Sequence, residues 1–104
     1  MVTNYINNQM ANTHLNFGAV IEALKNGKRV SREGWNGKGM YLWLLPKSEV
    51  KREWVKDPHL LAAFGDKDTL ECGYCIRMRN AQGTIDTWHP SIPDLFAEDW
   101  QIID

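Results

Sequence analysis

Met40-Tyr41-Leu42-Trp43-Leu44-Leu45 decides how this chain folds. It reads as an uninterrupted apolar β-strand. Successive side chains of a strand alternate, so Met40, Leu42 and Leu44 face one side and Tyr41, Trp43 and Leu45 the other. A strand that is apolar on both faces has to be covered on both. Upstream, Phe17, Val20, Ile21 and Leu24 recur at i, i+3, i+4 and i+7, the stripe of an amphipathic helix. Asn16 suits its N-cap and Gly27 its C′ position, which predicts a helix over about 16–26. That helix covers one face. With one long helix available, the second cover is expected from another subunit, through Tyr41 and Trp43.

Working outward, Lys28 to Arg32 alternates around Val30 and predicts a short strand. Gly34-Trp35-Asn36-Gly37-Lys38-Gly39 has three glycines and reads as a turn or loop. Residues 47–57 are charged and read as irregular. Asp57-Pro58 before His59-Leu60-Leu61-Ala62-Ala63-Phe64-Gly65 predicts a short helix with Asp as N-cap, Pro at N1 and Gly as stop. Gly73 to Arg79 alternates, with Tyr74, Ile76 and Met78 on one face and Cys75, Arg77 and Arg79 on the other. Asn80 to Gly83 reads as a turn, so Thr84 to Trp88 returns as the hairpin partner. His89 to Pro93 is a rigid connection, Asp94 to Ala97 a single helical turn, and Asp99 to Ile103 a last strand. The sum is α+β: an N-terminal helix packed on an antiparallel sheet of four to six strands.

The chain has 104 residues, 43% of them hydrophobic and 24% charged, with five tryptophans. That is globular composition for one small domain, far from the profile of disorder. Residues 1–14 are rich in Asn and read as a polar, poorly ordered tail, leaving 15–104 as the folded domain. A domain this small buries only about 60–65% of the surface of its unfolded chain, so self-association would add burial it lacks. The formal net charge of −1 excludes binding of long DNA or RNA by bulk charge, while a small anion in one local basic pocket is compatible with it. No apolar run approaches the roughly 20 residues of a membrane helix, and no secretory signal pattern opens the chain. The expected location is the cytoplasm.

Cys72 and Cys75 are the only cysteines. Without a second pair, and with His14, His59 and His89 scattered, they fall short of the four ligands of a structural zinc site. If both lay in one strand, their spacing would put the sulfurs on opposite faces. No metal or cofactor is expected. Nor does a catalytic constellation emerge: Ser91 lies near His89 without a nucleophile-elbow motif, and Asp86, Asp94, Glu98 and Asp99 show no fixed pair at working distance.

Two segments carry ligand-binding chemistry. In the glycine loop, backbone N–H groups at Gly37 and Gly39 beside Lys38 form a natural anion cradle. The loop is not a P-loop: its glycine spacing is too short and a strand follows it. Trp35 offers a stacking face and Asn36 a hydrogen bonder for a base edge, the combination a nucleotide requires. The competing interpretation is a hairpin loop with Trp35 buried. In the second segment, Trp88, Ser91 and Asp94 supply a ring, a hydroxyl and a carboxylate for ribose hydroxyls. Its competitor is a rigid crossover with Trp88 in the core and Asp94 capping a helical turn.

Phe17-x-x-x-Ile21-x-Ala23-Leu24-Lys25-x-Gly27-Lys28-x-Val30-x-Arg32, then Gly34-Trp35-Asn36-Gly37-Lys38-Gly39-Met40, and finally Trp88-x-Pro90-Ser91-x-x-Asp94 with Ala97-Glu98-Asp99-Trp100, resemble the second Thoeris anti-defence family of phages and prophages. The resemblance runs from about residue 15 to the C-terminus. It implies a non-enzymatic sponge that assembles into homotetramers, with pockets between subunits, in the bacterial host cytoplasm. It further implies binding of cyclic nucleotide immune signals, notably glyco-cyclic ADP-ribose and in some relatives cyclic oligonucleotides, and their release intact. Segment 47–72 departs from the family pattern, and the Asn-rich N-terminus is an extension. An enzyme that hydrolyses such a signal and a ligand-free interaction module are the alternative functions.

Overall fold

The computed structural model describes residues 12–35 and 39–104. They divide into two compact units, one formed by the chain up to Leu44 together with Ile76–Asp104, the other by Leu45–Cys75.

The first unit is a helix-backed sheet. Helix α1, Phe17–Lys25, begins at Asn16, whose side chain accepts a hydrogen bond from the Ala19 N–H at 3.0 Å. It ends in a Schellman turn: Gly27, at φ 77°, donates to the Leu24 carbonyl and Lys28 to that of Ala23. Lys28 is thus part of the helix cap, and the strand expected from it starts later, as β1, Val30–Arg32. β2 is Tyr41–Leu45, β5 Cys75–Arg79, β6 Ile85–Thr87 and β7 Trp100–Ile102. These five strands form one sheet in the order β6-β5-β2-β1-β7, with β1–β2, β1–β7 and β5–β6 antiparallel. Asn80 closes the β5–β6 hairpin, its side-chain oxygen accepting from the Gln82 and Thr84 N–H groups.

The period-2 alternation holds. Leu42 is buried and Leu44, Ile76 and Met78 pack against the core, as their side of each strand predicts. That core comprises Val20, Ala23 and Leu24 of α1 with Val30, Leu42 and Trp100 of the sheet. Tyr41 and Trp43, on the other face, are half-buried with ring centroids 5.7 Å apart, and the Arg29 guanidinium lies 4.8 Å from the Tyr41 ring. Tyr74, expected in the strand on one face with Ile76 and Met78, precedes β5 and is exposed. The tail falls mostly on residues outside the description. Asn12 is tied down, its carbonyl accepting from the Ile102 N–H at 2.8 Å, and Leu15 bridges to Trp100.

The last helix differs from expectation. α3 spans Ile92–Phe96, not Asp94 to Ala97. Pro93 is tolerated in a first helical turn, and Ser91 with Asp94 forms a capping box, a signal hidden between two prolines.

The second unit corrects a larger misreading. Residues 47–57 are irregular only at Lys47 and at 55–57: Ser48–Lys51 is strand β3, followed by a 3₁₀ turn at Arg52–Trp54. β3 has one apolar residue, Val50, and acquires its form by antiparallel pairing with β4, Thr69–Cys72, in register from Ser48↔Cys72 to Lys51↔Thr69. Such a strand leaves little local periodicity to read. α2, Pro58–Phe64, is capped as predicted, with Asp57 accepting from the His59 N–H and Gly65 at φ 58° as the stop. Cys72 and Cys75 lie in different strands and neither forms a disulfide.

Candidate functional site

The two segments singled out in the sequence for ligand-binding chemistry meet in the first unit, around a buried tryptophan. Trp100 opens β7 opposite Arg32 of β1 and is fully buried. The rings of Phe17, Trp35 and Trp88 surround it, with centroids 5.6, 5.4 and 6.0 Å from its own, all edge-to-face. Its indole N–H donates to the Asp94 carbonyl oxygen at 2.9 Å. Trp35 and Trp88 are half-buried and pack against the core. Each serves the hydrophobic core and keeps part of its surface accessible.

Arg32 joins the segments through charge. Val30 and Arg32 share one face of β1, which places a guanidinium on the side where Val30 meets the core. An arginine there needs partners. Its Nε donates to Asp99 Oδ1 at 2.8 Å and its Nη1 to Asp94 Oδ1 at 3.0 Å. Asp99 Oδ2 accepts from the Gly34 N–H at 2.8 Å, and the Asp99 carbonyl accepts from the Glu33 N–H. Asp94 Oδ2 accepts from the Ser91 N–H and hydroxyl at 3.0 and 2.8 Å. A continuous relay therefore runs from Gly34 through Asp99, Arg32 and Asp94 to Ser91.

The electrostatics follow. Hydrogen bonding to Asp99 raises the Arg32 pKa against the opposing effect of burial. Burial pushes Asp94 up, but the Ser91 backbone N–H and hydroxyl and the Arg32 guanidinium outweigh it and hold the carboxyl below its usual range. Arg32 does the same for Asp99, aided by the Gly34 N–H. Both carboxylates stay ionised, with one cation between them.

The glycines have specific work. A Cβ on Gly34 would lie 2.7 Å from Asp99 Oδ2, so a side chain there would push against that carboxylate. Gly39 sits at φ 76°, and its carbonyl accepts from Arg79 Nη1 at 2.8 Å. Arg79 of β5 thus anchors the far end of the glycine loop.

Of the residues singled out in the sequence, Trp35, Trp88, Ser91 and Asp94 come together here, and Gly39 closes the loop that starts at Trp35. Asn36, Gly37 and Lys38 lie outside the described residues. Sequence reading passed over Arg32 and Arg79 as site residues and found no role for Asp99. For Arg32 a signal was present in its phase with Val30; for Asp99 and Arg79 none was, because their partners are remote in the chain. Ser91 and Asp94 serve first as the capping box of α3. Among the described residues, no three His, Cys, Asp or Glu side chains gather as metal ligands, and no helix is long and apolar enough to cross a membrane.

Comparison with known proteins gives the family. The family model of the Thoeris anti-defense 2-like domain matches residues 15–103. A curated relative from Bacillus phage SP01, Thoeris anti-defense 2, is 34% identical over 94 residues, covering 88% of this chain and 97% of the relative. The matched span contains the whole tryptophan-centred cluster and the Arg32 relay, and the chain belongs to the Thoeris anti-defense 2-like family.

Proposed function

We propose that this protein inhibits Thoeris defence on behalf of a phage by sequestering a cyclic nucleotide signal of the glyco-cyclic ADP-ribose type, without cleaving it, in the cytoplasm of the infected bacterium. The observation that carries this is the meeting of the Gly34–Trp35 turn and the Trp88–Asp94 segment around Trp100. Trp35 stacks on an adenine, a contact worth roughly 1–3 kcal/mol per base. Asn36 meets a base edge or ribose, and Lys38 with the Gly37 and Gly39 N–H groups takes the diphosphate. Trp88, Ser91 and Asp94 bound the other side. Sequestration is favoured over hydrolysis because the carboxylates of Asp94 and Asp99 are taken up by Arg32, Ser91 and Gly34.

The active form is a homo-oligomer, a tetramer, with Tyr41 and Trp43 at an interface. Support comes from the apolar outer surface of α3, where Ile92 and Phe96 are 68% and 78% exposed while its aspartate is buried. A solvated helix would show the reverse pattern. Light scattering on the purified protein should give a tetramer; a 12.0 kDa monomer at micromolar concentration refutes the assembly.

Heating the protein loaded with glyco-cyclic ADP-ribose and analysing the released material tests the function. Intact signal supports sequestration, and fragments establish hydrolysis. Silence in calorimetry across a panel of cyclic nucleotides establishes a ligand-free module. Rising salt should weaken wild-type binding and affect Lys38→Ala less, whereas Trp35→Ala should lose affinity about equally at low and high salt. Unchanged affinity in Trp35→Ala would assign that ring to the core alone.

A further inference from the structure

We infer that Arg32 is a positioning residue that holds the Gly34–Trp35 turn and the Ser91–Asp94 cap in one fixed relation, and so preorganises both walls of the proposed ligand site. The inference rests on the sequestration reading for its ligand but on geometry for its substance. Among the described residues, Arg32 is the single group bonded to both carboxylates, Asp99 through Nε and Asp94 through Nη1. Each carboxylate spends its other oxygen on one wall, Asp99 on the Gly34 N–H and Asp94 on the Ser91 N–H and hydroxyl. The Gly34–Trp35 turn follows Arg32 closely in the chain, but Asp94 and Asp99 are 62 and 67 residues from it, so chain connectivity does not bring the Ser91–Asp94 wall to the turn.

A guanidinium suits this task better than an ammonium. Its planar fork offers donors in fixed directions to two acceptors at once, while a lysine presents a compact charge on a flexible stem. Charge matters as well. Two carboxylates beside a diphosphate site would repel the ligand, and Arg32 cancels one of their two charges while keeping both oriented. With its Nε and Nη1 committed at 2.8 and 3.0 Å and a side chain only 21% exposed, Arg32 acts through its neighbours and not as the phosphate ligand. Preorganised walls raise affinity because ligand binding does not have to order them.

The test compares Arg32→Lys and Arg32→Gln with wild type and with Gly27→Ala, a helix-cap variant at the end of α1 opposite Phe17 that controls for lost stability. Titration with glyco-cyclic ADP-ribose is followed in parallel with the indole resonances of Trp35 and Trp88 in ligand-free protein by NMR. Expected is an affinity loss of about tenfold or more in both Arg32 variants, the scale set by hydrogen bonds to charged groups. Both indole resonances should move in Arg32→Lys and stay in place in Gly27→Ala. A purely charge-based role predicts rescue by lysine, so Arg32→Lys binding within about twofold of wild type overturns the inference. Equal losses in Gly27→Ala and Arg32→Lys overturn it too. If wild type does not bind this probe, the sequestration reading fails, and the indole resonances alone decide the positioning role: unmoved in Arg32→Lys, they refute it.

Discussion

The sheet unit and the Leu45–Cys75 unit are held together by different means. In the first, Val20, Ala23, Leu24, Val30, Leu42 and Trp100 form one buried cluster, and its ties span the chain, from Arg32 to Asp94 and Asp99 and from Leu15 to Trp100. In the second, the buried apolar residue is Phe64, and the polar ties are short-range. Arg52 donates to the Gly65 and Lys67 carbonyls and stacks over Phe64, and Lys47 pairs with Glu71 on the surface. Exposed ion pairs of that kind contribute little, about 0–1 kcal/mol. Long-range ties make the first unit cooperative, since breaking one frees distant segments together. The second unit can open by itself at lower cost, as locally bonded segments with few buried contacts do. The proposed ligand site lies wholly in the cooperative unit, where walls keep their geometry. Segment 47–72 lies wholly in the other, inside the span that the family model matches.

Trp100→Ala should have the largest effect. Truncating a buried aromatic costs about 3–5 kcal/mol, and domains of this class have only about 5–15 in total. Cooperative melting should weaken severely or vanish, as followed by circular dichroism; a Tm within a few degrees of wild type would mean Trp100 is not the hub of the first unit. Phe64→Ala removes a similar ring, but its effect is capped by the opening free energy of its own unit. Hydrogen exchange should rise in residues 45–75 while amides of β1 and β7 keep their protection. Protection lost equally in both would erase the distinction between the units.

Gly39→Ala should cost about 1–2 kcal/mol for a left-handed backbone, with a further penalty from the crowded Arg79 guanidinium, read in the thermal midpoint. Cap removal sharpens the comparison further. Asn16→Ala and Asp57→Ala each delete an N-cap worth about 1 kcal/mol. The first should lower the global Tm, the second only local exchange protection around α2.

The smallest effect concerns acid. Asp94 and Asp99 have carboxyl pKa values below the ordinary value of about 3.9, so their stabilisation is complete above that pH and is lost as pH falls through the lowered values. Asp99→Asn should flatten the acid limb of the stability curve below about pH 4 relative to wild type. An unchanged limb would mean the Arg32 relay does not respond to protonation.

Much of the fold was legible because its signals are local. The stripe Phe17-Val20-Ile21-Leu24, the caps Asn16, Gly27 and Asp57, and the Asn80 turn each act within a few residues. β3 and β4 were not legible, since Ser48-Glu49-Val50-Lys51 becomes a strand only by meeting Thr69–Cys72. Trp35, Trp88, Ser91 and Asp94 stood out for their chemistry, but their double duty did not. A ring that stacks and a ring that fills a core have the same letter in a sequence.

The sequence by itself determined helix α1 and its ends, the alternation that sorts Leu42 from Tyr41 and Ile76 from Arg77, and the family to which the chain belongs. Those follow from backbone propensity, side-chain period and motif, which need no distant partner. The tertiary structure alone decided the strand order β6-β5-β2-β1-β7, the division into two units, and the relay from Gly34 to Ser91 through Arg32. Each of these depends on groups tens of residues apart reaching hydrogen-bond distance. Only the burial of a shared core around Trp100 supplies the free energy to hold them there.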